Sequence, residues 1–163
     1  AATDMVASGK AAYNVMGDWA VAEFDMKGKK YNADYTAFAV PGKEVVYDFL
    51  ADSFTLPTGT KNPEATKDWL RFVGSADAQS TFNKIKGSIL ARTDVKPDGF
   101  STYQQIAMKD FKEVPIVSSI AHGAAVSLGW SSEINTAMSK FYQDKNADNL
   151  ASALVAAHDK YGK

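Results

Sequence analysis

Four side chains of this 163-residue chain combine reactive or adhesive chemistry with an unusual place in the pattern. Trp19 follows Met16-Gly17-Asp18, the end of an apolar stretch. Asp52 interrupts the extended run Phe49-Leu50-Ala51-Asp52-Ser53-Phe54. Lys86 precedes Gly87-Ser88 at a helix end, and His122 precedes Gly123 after the extended segment Ile116 to Ile120. Each lies where an element ends or breaks, and in α/β proteins ligands gather at strand ends. Each also has a plain structural reading. An isolated Trp is commonly core, Asp52 suits a cap on the turn into Pro57, Lys86 suits the negative end of a helix dipole, and His122 suits a turn. Trp69 reads as core on an apolar helix face, Trp130 as a hydrophobic staple before a helix, and Asp144, Lys145 and Asp148 as a solvated helix junction.

Catalytic patterns are scarce. The chain has no Gly-rich phosphate loop, no G-x-S-x-G turn and no H-E-x-x-H helix. Its two histidines, His122 and His158, are far apart, and it has no cysteine. Disulfide frameworks and thiolate metal sites are therefore excluded, no D-x-D-x-D-G calcium loop is present, and no cofactor is expected. The 18 basic and 19 acidic residues give a formal charge of −1. That balance supplies neither the positive field that nucleic acid requires nor the one that anionic membrane surfaces attract. No apolar run approaches the roughly 18 residues of a membrane span, and no secretory leader is legible.

The elements that must position the four side chains follow from periodicity and punctuation. Ala1 to Gly9 reads as a helix closed by Gly9, and Lys10 to Met16 as a buried strand. Asp18 reads as the N-cap of a helix over Trp19 to Met26. Lys27 to Asp34 is a polar loop, Tyr35 to Val40 a strand, and Val45 to Leu56 extended. Asn62-Pro63-Glu64 opens a helix with Pro at its first position. Its Ala65, Trp69, Phe72 and Val73 share one face, and Ser75 caps a second helix with Ala78, Phe82 and Ile85 on one face. After a loop over Gly87 to Gly99 come a helix from Thr102 to Lys112 and an extended Val114 to Ile120. One helix starts at Ser131 or Ser132 and a last one at Asn146. The sum is an α/β chain richer in helix than strand, without repeats.

Four ordered motifs then carry a resemblance along the whole chain. Gly9-Lys10-Ala11-Ala12-Tyr13-Asn14-Val15-Met16-Gly17-Asp18-Trp19, the segment Asp48 to Pro57, the helix pair Trp69 to Asn83 after Lys61-Asn62-Pro63-Glu64-Ala65, and Phe82 to Asp94 with Ser118 to Gly123 resemble family 1 extracellular solute-binding proteins. Phe82 to Asp94 and Ser118 to Gly123 are most similar to the glucose/mannose-type subgroup. A departure is Leu90, where the family usually carries Pro.

The resemblance implies the C-terminal portion of a two-lobe periplasmic binding protein of the type II, Venus-flytrap class, with the N-terminal half of that architecture absent. It assigns 1–47 and 92–163 to the C-terminal lobe and 48–91 to the N-terminal lobe, with crossings near 44–52 and 88–96. It implies a binder and not an enzyme, lodged in the periplasm or otherwise outside the cytoplasm, and lipid-anchored in some bacteria. Such a protein delivers a monosaccharide such as glucose, galactose or mannose to an ABC transporter permease. Trp19 inherits stacking on the pyranose, and Asp52, Lys86 and His122 inherit hydrogen bonds to its hydroxyls. Further partners implied are the missing half or another copy of the chain, with neither nucleic acid nor membrane insertion. A pyranose has an apolar C–H face that suits an indole and a hydroxyl rim that suits charged groups. Two other readings remain open: a protein-interaction module anchored by Trp19 and Trp130, and a carbohydrate-active enzyme with Asp18 and Asp52 as its carboxyl pair.

Overall fold

The computed structural model describes residues 2–162 and is helix-rich α/β. Its elements are α1 (Ala2–Ala7), α2 (Ala20–Met26), β1 (Tyr47–Phe49), α3 (Pro63–Val73), α4 (Ala76–Lys86), α5 (Thr102–Glu113), β2 (Ile116–Ser118), α6 (Leu128–Asp144) and α7 (Ala147–Tyr161). They fall into two compact units, one of 1–47 with 52–115 and one of 48–51 with 116–163.

In the first unit, α1 ends as its glycine requires. Gly9 takes φ +74°, and the N–H groups of Gly9 and Lys10 reach back to the carbonyls of Val6 and Met5, a left-handed helix close. Ala1, where the expected helix begins, lies outside the described residues. Residues 10–16 do not form the expected buried strand. Tyr13 and Val15 are about three-quarters exposed (77% and 78%). Apolar residues in a short run favour a strand only when another strand is there to pair. Tyr35 to Val40 likewise yields only an isolated bridge between Tyr31 and Tyr35.

The core of this unit is small. Val21 and Phe24 of α2, Phe100 and Ala107 are buried, and Phe24 stacks on Tyr35 with ring centroids 4.1 Å apart. The hydroxyl of Tyr35 is buried without a hydrogen bond, and burial pushes its pKa up to about 12. Helices α3 and α4 begin where Pro63 and Ser75 say they should. Asn62 occupies the cap of α3 without a side-chain bond, whereas the Ser75 hydroxyl accepts the Ala78 N–H at 3.3 Å. Their apolar faces are not core. Trp69 is 47% exposed and Phe72 65%, and Trp69 meets only the edge-on ring of Phe54 among the described ring pairs, at 4.9 Å. Periodicity dictates which face is apolar, not that anything covers it. Helix α5 carries a full capping box, Ser101 and Gln104 each satisfying the other's backbone N–H.

The second unit holds β2 and most of β1, which pair as a two-stranded sheet. The extended segments expected at 45–56 and 114–120 each contribute only three strand residues. Its other part is the hairpin of α6 and α7. Helix α6 opens at Ser127, whose hydroxyl accepts the Trp130 N–H at 3.3 Å, ahead of Ser131 and Ser132, where its start was expected. Trp130 is therefore a helical residue, not a staple. It meets His158 of α7 edge-on at 5.8 Å. Small residues let the two helices approach: Ala137 and Ala157 are buried, and a Cβ on Gly129 would lie 2.9 Å from the Tyr161 ring. Lys160 pairs with Glu133 at 3.1 Å. No helix among the described residues is long and apolar enough to cross a membrane.

Candidate functional site

Trp19 stands at the N-cap of α2 in helical conformation (φ −60°, ψ −19°) and gives no side-chain cap. Its indole folds back over Gly17. A Cβ at Gly17 would fall 2.2 Å from the ring, so the glycine two residues before the tryptophan is what makes room for it. The side chain is half-buried, offering part of its surface to solvent.

Asp18 does not cap α2, contrary to the expectation. Its carboxylate accepts the backbone N–H of Ile89 at 2.9 Å, across 71 residues. Burial pushes its pKa above the ordinary carboxylate value, against the opposing pull of the Ile89 N–H, the Ser88 side chain and the Lys86 charge. The first N–H groups of α2 need no side-chain cap, because Ala20, Val21 and Ala22 already donate to the backbone carbonyls of Gly17, Asp18 and Trp19. The Asp18 carboxylate is left to the loop N–H of Ile89, a part-buried bond that is costly to lose.

Lys86 is the last residue of α4, and Gly87 closes that helix at φ +88°. The Lys86 ammonium is paired with the Asp52 carboxylate, the lysine side chain 30% exposed and the aspartate 68%. The structure thus brings together two of the four predicted residues through a bond spanning 34 positions. The loop after Lys86 is tight. Gly87 and Ser88 are buried, and a Cβ at Gly87 would lie 2.9 Å from Cβ of Ala22 and 3.3 Å from the Trp19 carbonyl oxygen. Gln104, 2% exposed, donates its amide to the carbonyls of Asn83 at 2.8 Å and Ser88 at 3.1 Å. Nothing in the sequence pattern singled out Gln104 beyond its place three residues after Ser101.

His122 lies in the second unit, in a turn over 120–123. Its Nδ1 shares a hydrogen bond with the Ser119 hydroxyl at 2.9 Å. Ser119 organises the turn: its N–H bonds to the Phe49 carbonyl, and its carbonyl accepts from Ala124 and Ala125. A Ser–His contact invites a nucleophilic reading, but Ser119 is 1% exposed and cannot meet a substrate. The carboxyl pair of the glycosidase reading is also engaged, Asp18 with Ile89 and Asp52 with Lys86. Among the described residues no group of three or more His, Asp or Glu is placed to hold a metal.

Of the four candidate residues, Trp19 and the Lys86–Asp52 pair thus belong to the first unit and His122 to the second. Residues 1–80 match the family model of the bacterial extracellular solute-binding proteins. Similarity to individual proteins extends through almost the whole chain. An uncharacterized ABC transporter extracellular-binding protein of Pyrococcus horikoshii is 39% identical over 158 residues, covering 96% of this chain and 35% of that protein. The xylose/arabinose-binding protein of Haloferax volcanii is 35% identical, covering 93% of this chain and 34% of that protein. A probable sugar-binding periplasmic protein of Brucella suis is 32% identical, covering 96% and 38%. The chain spans little more than a third of the length of these relatives. They are solute-binding proteins, not enzymes.

Proposed function

We propose that the chain belongs to the sugar-binding component of an ABC importer and contributes Trp19, Asp52, Lys86 and His122 to a monosaccharide site outside the cytoplasm. The observation that carries the reading is the Lys86–Asp52 pair, whose loop abuts the turn that presents Trp19. An ammonium donates and a carboxylate accepts, so together they match vicinal hydroxyls, while the half-buried indole supplies an apolar face. A hexose of the glucose, galactose or mannose type is the ligand of first choice, and the Haloferax relative's name makes xylose and arabinose the alternatives to test.

The lobe assignment follows from the same reading: 48–91 in an N-terminal lobe, 1–47 and 92–163 in a C-terminal one, closing on sugar and presenting the closed form to the permease. Further polypeptide, as the rest of a two-lobe protein or a second copy, is the partner of the apolar side chains left in solvent on α3 and α4. Phe72 at 65% and Ile85 at 77% exposure support this. Calorimetric titration with the five sugars, beside Trp19→Ala, tests the proposal. Saturable heat with one sugar, absent in the variant, supports it; a sugar bound equally by the variant contradicts it.

A further inference from the structure

We infer that Asp18 is a positioning residue that ties the loop carrying Lys86 to the turn carrying Trp19. The functional consequence rests on the sugar-binding reading; the tie itself rests on geometry. Asp18 precedes Trp19 directly, and its carboxylate accepts the Ile89 N–H at 2.9 Å, three residues beyond Lys86. Between those points, Gly87 is pressed against the Trp19 carbonyl and Ala22, close enough that a Cβ would sit 3.3 Å and 2.9 Å from them. From the other side Gln104 holds the carbonyls of Asn83 and Ser88. The backbone on either side of Lys86 is thus bonded to α5, and past it to Asp18.

A helix end left to itself would fray. Here the N–H of Ile89 and the carbonyl of Ser88 are satisfied by side chains distant in sequence, and the carbonyl of Asn83, which takes the Gly87 N–H, gains a second donor from Gln104. The Lys86 ammonium then has a fixed origin from which to reach Asp52, and the indole of Trp19 a fixed backbone beside it. Asp18 needs only an acceptor oxygen to do this. Asparagine retains one at the same reach, and alanine does not.

The test measures amide hydrogen exchange at Ile89 and monosaccharide affinity in the full chain, for wild type, Asp18→Ala and Asp18→Asn, with circular dichroism to confirm folding. Losing a bond to a charged acceptor is expected to speed Ile89 exchange by about tenfold or more in the alanine variant. Affinity is expected to weaken by about tenfold beside it, since misplaced contacts are lost together. Asparagine should largely restore both values, a rescue that a bare need for charge or for folding stability would not produce. Unchanged Ile89 exchange in Asp18→Ala overturns the inference, and so does faster exchange with unaltered affinity. If wild type binds none of the five sugars, the sugar reading fails, and the tie is decided by Ile89 exchange together with the Trp19 emission maximum, which must move in alanine and return in asparagine. Where the alanine variant does not fold, Asp18→Ser, polar but too short to reach Ile89, replaces it with the same expected outcome.

Discussion

The loop after α4 and the turn after β2 both present a candidate sugar-binding side chain beside a glycine of positive φ, yet they are built in opposite ways. Gly87 is buried and hemmed in by Ala22 and Trp19, and its neighbours are held by Asp18 and Gln104. Gly123 has nothing within 4 Å of where a Cβ would stand, and its turn is closed locally by Ser119, His122 and Ala124. One ligand-presenting segment is fixed by tertiary contacts, the other by its own sequence neighbours. Damage to the first should therefore spread through its unit, while damage to the second should stay within the turn.

Replacing each glycine by alanine breaks the comparison most sharply. At Gly87 the left-handed conformation costs about 1–2 kcal/mol and the clash adds about 1–3 kcal/mol. At Gly123 only the conformational cost of about 1–2 kcal/mol applies. Urea denaturation of the two variants should differ accordingly, and equal losses would show that the loop after α4 is not clamped. Gln104→Ala comes next. It takes the amide donor from the Ser88 carbonyl and one of two donors from the Asn83 carbonyl, which keeps the Gly87 N–H, and is expected to cost about 2 kcal/mol, again by denaturant midpoint. Ser119→Ala removes one bond to His122 and is expected to cost about 1 kcal/mol, with a change in the His122 imidazole NMR signals and none in Trp19 fluorescence.

The smallest effect is one of pH. Asp18 holds its proton more tightly folded than unfolded, because burial raises its pKa. Its increment of stability is full below the ordinary carboxylate pKa and is lost as pH rises through the raised value. Asp18→Asn should flatten that window in thermal melts run across acid pH, and at neutral pH the variant should be no less stable than wild type. A clear loss of stability at neutral pH would mean that the charge itself, not the acceptor oxygen, holds Ile89.

The sequence made legible what is local. Pro63, Ser75, Asn146 and Gly9 mark helix ends because capping is decided within a few residues. The four candidate residues stood out for a related reason, each lying at a break in a pattern. What was not legible depends on partners remote in the chain. The stretch 10–16 carries strand-forming side chains but pairs with no strand, and the apolar stripe on α3 carries Trp69 into solvent. Asp18 has the residue type and position of a helix cap, and only the fold brings Ile89 within reach of it. Gln104 was not singled out, because its two tasks, closing the capping box with Ser101 and holding the loop after Lys86, show only in the fold.

The most direct test of the account is an emission titration of a chain in which Trp19 is the only tryptophan, made by Trp69→Phe and Trp130→Phe. With glucose, galactose, mannose, xylose and arabinose in turn, the account predicts a saturable shift for one sugar, abolished by adding Lys86→Met. A shift that survives loss of Lys86, or a sugar that binds by calorimetry while Trp19 emission stays constant, would contradict a site built on Trp19 and the Lys86–Asp52 pair.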